Sequence, residues 1–208
     1  MRPRALPPRR LAHAGFTLVE LLIVVAIIGL LAALATVGYR RYVGRARLTE
    51  ATTVLSEMIS KEQVYFLEFG MYLPLRADNV IALPSASENA AAFYPSNPTA
   101  VGFESARTKV NISNPATWPT AWRSVGLRPR EQALYCTYLV NADGNGHPSP
   151  AGATYAPGLL GVLTANSPSW FYGLAVCNLT GPAGFPNGAT VLGVSSNRSA
   201  ISSFNDGQ

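Results

Sequence analysis

The chain has 208 residues, 48% hydrophobic and 13% charged, with a formal net charge of +5. That charge is unevenly placed: Arg2, Arg4, Arg9 and Arg10 lie in the first 15 residues without an acid, which leaves 12 basic and 11 acidic residues beyond them. A remainder so near neutrality carries no bulk basic signature for nucleic acid, and the length suits one domain plus an extended element.

The basic leader, 1–15, ends at Gly15. From Phe16 to Tyr39 the chain is uncharged except at Glu20, a stretch of 24 residues, about 36 Å as a helix and long enough to cross a bilayer. A lone carboxylate inside such a span costs about 2.5–3.5 kcal/mol on insertion scales, so Glu20 calls for a partner. Gly29 and Gly38 each cost about 1 kcal/mol against alanine and are tolerated in a membrane helix. Arg40, Arg41, Arg45 and Arg47 follow and read as a membrane-edge anchor and a solvated helix face.

The helical pattern continues over 40–70. Leu48, Ala51, Leu55, Met58, Ile59, Phe66 and Phe69 make one apolar face, with Glu50, Thr53, Glu57 and Lys61 mostly elsewhere. Glu57 and Lys61 form a favourable i,i+4 pair, and Gly70 and Pro74 mark the stop. A helix from Phe16 to Phe69 would be about 80 Å long, apolar all round in its first half and amphipathic in its second.

Residues 71–132 are broken repeatedly by Pro74, Pro84, Pro95, Pro98, Pro115 and Pro119 and read as a connector, with a short helix over Ser85–Phe93 and Trp118 and Trp122 as packing anchors. Strand signals dominate 133–208: Ala133 to Val140, Ser169 to Cys177, Ala189 to Ser195 and Ser199 to Phe204, with a tight turn at Asn197-Arg198. Helix first and strands after predict an α+β fold, a long N-terminal helix packed on a four-stranded antiparallel sheet.

The string Gly15-Phe16-Thr17-Leu18-Val19-Glu20, behind a basic leader and ahead of an apolar helix, resembles the N-terminus of type IV prepilins. The resemblance is strong from Gly15 to about Phe69 and looser over the C-terminal third. The tract Trp122 to Pro129 is loosely similar to one that precedes the first strand in some pilins. The resemblance implies cleavage between Gly15 and Phe16 by a prepilin peptidase, N-methylation of Phe16, and an assembly role for Glu20. It further implies an inner-membrane stage before assembly, followed by incorporation with other pilin subunits into an extracellular filament by a pilus assembly machinery. Many pilins have proline where this chain has Val37, so the resemblance does not imply a kink there.

Two other readings compete. An ordinary secretory signal would use the leader as its basic region, Leu21 to Leu31 as its apolar region and Ala33-Leu34-Ala35 as its cleavage site, but it has no need of Glu20 and the helical pattern does not stop at Ala35. A type II secretion pseudopilin shares the N-terminal signals. Its calcium-binding major form carries an acidic loop after the second strand, whereas Asn178 to Gly184 here contains no carboxylate, so no metal is expected.

Cys136 and Cys177 lie in separate strand-like runs. With the C-terminal part outside the cytoplasm, an oxidising compartment predicts a disulfide between them; two buried free thiols are the alternative. Asp143-Gly144-Asn145-Gly146 reads as a turn. His13 falls in the leader and His147 sits among glycine and proline, so nothing places the parts of a catalytic triad together, and no catalytic residues or cofactors are expected.

Overall fold

The structure, a computed structural model, describes residues 16–77, 92–95, 109–143, 169–178, 189–196 and 198–204. The helix α1 spans Leu18–Phe69 and runs through Gly29 and Gly38, where a Cβ would meet nothing within 4 Å. Its end follows from Gly70, which adopts φ +73° and donates its N–H to the Phe66 carbonyl at 2.8 Å, closing the last turn in a left-handed cap that glycine accepts without penalty. The chain divides into two units, Met1–Tyr42 and Val43–Gln208.

In the second unit, β1 (Val110–Asn111) pairs with β2 (Ala133–Leu134), and β3 (Thr137–Asp143), β4 (Trp170–Asn178), β5 (Ala189–Ser195) and β6 (Arg198–Phe204) form an antiparallel sheet in the order β3-β4-β5-β6. A one-turn 3-10 helix at Pro115–Thr117, capped by the Asn114 side chain, and the short helix α2 (Thr120–Ser124) lie between β1 and β2. The α+β fold expected from the sequence is the fold observed.

The helix contributes Ala51, Val54, Leu55 and Met58 to the core, a spacing that keeps one face inward. Against it lie Tyr138, Val140 and Ala142 of β3, Phe171, Ala175 and Cys177 of β4, and Leu192 and Val194 of β5. Gly173 lets the helix approach: a Cβ there would lie 3.0 Å from Leu55 Cδ1 and 3.2 Å from Val194 Cγ1. The alternate strand positions, Leu139, Trp170, Tyr172, Leu174, Val176 and Val191, are buried as well. Both faces of β3, β4 and β5 are therefore withdrawn from water, which explains why these three strands read as near-continuous apolar runs instead of alternating ones, whereas Ala200 and Ser203 of β6 are exposed.

Several expected boundaries move. The run Ala133 to Val140 is two strands, because Tyr135 turns its N–H to the Glu50 carboxylate instead of to a neighbouring strand. The first of these, β2, finds its partner in β1, inside the presumed connector. Ser195 pairs with Arg198, so Arg198, expected in the turn, already belongs to β6. Two connector segments also pair with the outer edge of β3, through bridges Leu75 to Val140 and Tyr94 to Tyr138. Such pairing satisfies edge groups that would otherwise template association. The helix expected over Ser85–Phe93 falls almost entirely outside the described residues, as do Gly144 to Gly146 and the loop after Asn178.

Trp122 is a packing anchor as expected, fully buried, whereas Trp118 is half-buried and donates its indole N–H to the Ile112 carbonyl at 2.7 Å. Phe69, expected on the apolar helix face, is 54% exposed and packs at a tilt against Tyr65.

Cys136 and Cys177 form a disulfide. Thr137 pairs with Val176 in the ladder, so the two cysteines fall opposite one another at its end, with Cα atoms 4.5 Å apart. They are separated by 41 residues, and closing a loop of that length stabilises by about 2–4 kcal/mol in the loop-entropy picture. Cys136→Ser should lower the denaturation free energy by about that amount. Quantitative thiol labelling of both cysteines in the folded wild-type chain, without reductant, would contradict the bridge.

Candidate functional site

The first described residues, Phe16 and Thr17, precede α1 and are exposed. Thr17 caps the helix: its Oγ1 accepts the Glu20 N–H at 3.2 Å, and the Glu20 Oε2 accepts both the Thr17 N–H at 2.9 Å and the Thr17 hydroxyl at 2.8 Å. This reciprocal box satisfies helix N–H groups that have no partner within the first turn. Thr17 is not among the residues singled out from the sequence. The signal was present, since a threonine followed three residues later by glutamate at the head of an apolar run is the signature of such a cap.

Beyond the cap, Leu18–Thr36 is long and apolar enough to cross a membrane, 19 residues or about 28 Å of helix. Its side chains are exposed throughout, Leu18 at 80% and Leu30 at 65%. A contiguous apolar surface of this extent requires lipid or other apolar helices around it. Glu20 is its single charge, one turn from the nitrogen of Phe16.

The polar side of α1 in the second unit is less solvated than its sequence suggests. Glu50 Oε1 accepts the Tyr135 N–H at 2.7 Å, its Oε2 lies 3.4 Å from Lys109 Nζ, and Glu57 Oε1 accepts the Arg128 N–H at 3.1 Å. Glu57 thus serves the chain following α2 instead of anchoring an i,i+4 pair. The Arg47 guanidinium sits 4.5 Å from the centre of the Tyr135 ring, with Lys109 Nζ at 5.0 Å, so Arg47 belongs to a packed cation–aromatic contact and not to a free solvated face. These contacts fasten α1 to the residue beside Cys136, and long-range partners of this kind leave no trace in local spacing.

Of the residues singled out from the sequence, Cys136 and Cys177 are brought together, Phe16 and Glu20 stand one turn apart at the start of the exposed apolar helix, and Gly15 lies outside the described residues. Among the described residues no group of three or more His, Cys, Asp or Glu side chains is placed to hold a metal.

A family model for the prokaryotic N-terminal methylation motif matches residues 10–36, which include Gly15, Phe16 and Glu20. The N-terminal segment is similar to that of type IV pilins. Similar proteins include the fimbrial protein EcpC of Eikenella corrodens, 40% identical over 75 residues that make up 36% of this chain and 47% of the relative. The type IV major pilin protein PilE of Neisseria gonorrhoeae is 43% identical over 58 residues, 28% of this chain and 35% of the relative. A fimbrial protein of Moraxella nonliquefaciens is 56% identical over 43 residues, 21% and 28% of the two chains. The chain spans less than half the length of these relatives. No solved structure matches it.

Proposed function

We propose that this chain is a structural subunit of a type IV pilus filament. A prepilin peptidase cuts between Gly15 and Phe16, the new amino terminus at Phe16 is methylated, and the subunit waits in the inner membrane through Leu18–Thr36. The pilus assembly machinery then transfers it into a filament of pilin subunits, where the same helix packs against its copies. The observation that carries this reading is the exposed apolar helix whose single charge, Glu20, stands one turn behind Phe16. Lipid and neighbouring helices are about equally apolar, so burial alone cannot favour the filament, and polar pairing with helix packing must set the register.

In the filament the Glu20 carboxylate pairs with the amino terminus of Phe16 on a neighbouring subunit. The Thr17 cap is the local competitor for that carboxylate, and exchanging it for a full positive charge in a medium of low dielectric favours assembly.

N-terminal sequencing and mass spectrometry of the mature chain test the reading. A methylated Phe16 start is expected; a start at Thr36 would assign the chain to ordinary secretion. Gly15→Leu should leave uncut precursor in the membrane, because a bulky side chain at the last leader residue blocks the peptidase, and normal processing of that variant would count against a prepilin leader.

A further inference from the structure

Glu62 is the one fully buried acid among the described residues, and it sits on the inward face of α1, one turn beyond Met58. Its Oε2 accepts the N–H of Leu73 at 2.9 Å, and its Oε1 has no hydrogen-bond partner among the described residues. Leu73 lies on the segment that leaves α1 after the left-handed turn at Gly70. Beside it, the Tyr72 ring stacks on Phe66 at 4.6 Å and meets Phe171 of β4 edge-on at 4.8 Å. Two residues further on, Leu75 exchanges N–H and carbonyl bonds with Val140 at the edge of β3. One buried carboxyl thus ties the end of α1 to the segment that covers a sheet edge.

We propose that Glu62 is an acid-tightened clasp: as a neutral acid it holds the segment Met71–Ala77 to α1 and to the edge of β3, and as a carboxylate it favours release of that segment. A neutral carboxyl costs far less to bury than an ionised one, which with a single backbone donor is an uncompensated buried charge. Burial pushes the Glu62 carboxyl up to about 8 from its ordinary 4.5, against the smaller downward pull of the Leu73 N–H. The groups around it do not offset this. Tyr72, from the departing segment, is itself pushed up, first by burial and then by Glu62, and stays a neutral phenol. β4 presents the apolar Phe171. On α1, Glu57 is bound to Arg128 and Lys61 Nζ lies beside Gly126. Arg76 of the same segment is buried with an interaction of its own.

The sign follows from linkage. The clasped state binds the proton more tightly than the released state, so clasping is strongest below the ordinary value of 4.5, weakens as pH rises, and levels off above about 8. Hydrogen exchange of the full chain in detergent micelles, corrected for the intrinsic pH dependence of exchange, measures this. Between pH 5 and pH 8 the protection of Met71–Ala77 should fall by up to roughly tenfold per pH unit, while that of β4 stays constant. Glu62→Gln should abolish the pH dependence. Unchanged protection of the segment in wild type, or the same dependence in Glu62→Gln, overturns the proposal. Should that variant fail to fold, the carbon-13 titration of the Glu62 carboxyl in wild type decides: a midpoint near 8 upholds the clasp and one near 4.5 overturns it.

Discussion

Glu20→Ala subunits are expected to be cut and folded normally yet to enter filaments on the order of a hundredfold less efficiently, the equivalent of about 2.5–3.5 kcal/mol for one unpaired charge in an apolar span. The expectation rests on the proposed pairing with Phe16 of a neighbour. It has a rival in the structure itself, because Glu20 also closes the cap on Thr17. Loss of a cap costs about 0.5–2 kcal/mol, and alanine removes both roles at once. Glu20→Gln separates them, since glutamine can close the same box without a charge. Filament incorporation measured beside wild type should fall with both variants. If Glu20→Gln assembles as well as wild type, the carboxylate serves the cap and the pairing between subunits is wrong.

Trp122→Ala should destabilise the unit Val43–Gln208 by about 3–5 kcal/mol, a large fraction of the stability of a typical domain. The indole is fully buried and packs edge-on against Tyr94, at 5.0 Å between ring centres, and Tyr138, at 6.5 Å. It joins three stretches distant in sequence: α2, the segment pairing with the edge of β3, and β3 itself. Truncation to alanine leaves a void where those stretches meet. Trp122→Phe should cost less, since it keeps a ring in place and removes an indole N–H that has no partner among the described residues. Chemical denaturation followed by circular dichroism gives both values. A loss below about 1 kcal/mol for Trp122→Ala would show that the site collapses around the void or that the packing there is loose.

Much of the architecture was legible because it is written in short-range patterns. The apolar stretch after Gly15 needs only composition and length to be read as a membrane-length helix. The end of α1 announces itself through Gly70, whose left-handed conformation the structure bears out. The bounds of β5 match the sequence expectation at both ends, since the strand is apolar and β-branched between glycine- and asparagine-rich flanks. The cysteine pairing is legible in two strand-like runs and an oxidising compartment, and the ladder of β3 on β4 supplies its physical basis.

What escaped depends on partners far away in the chain. Glu50 and Glu57 look like members of a solvated helix face, yet they accept backbone N–H groups from residues 85 and 71 positions away. β1 is two residues long and exists because β2 is beside it, and no propensity would identify a strand of that length.

The sequence alone determined the N-terminal signal, the length and apolarity of the helix behind it, the order of helix before strands and the two residues available to form a disulfide. These are properties of neighbouring residues, set by backbone preference and by transfer from water. The tertiary structure decided the order of strands in the sheet, the burial of β3, β4 and β5 on both faces, the division of Ala133 to Val140 into two strands, and the polar contacts by which α1 is fastened. Each of these is fixed by which distant N–H finds which carboxylate and which side chain fills which gap, and such choices come into being only when the chain has closed on itself.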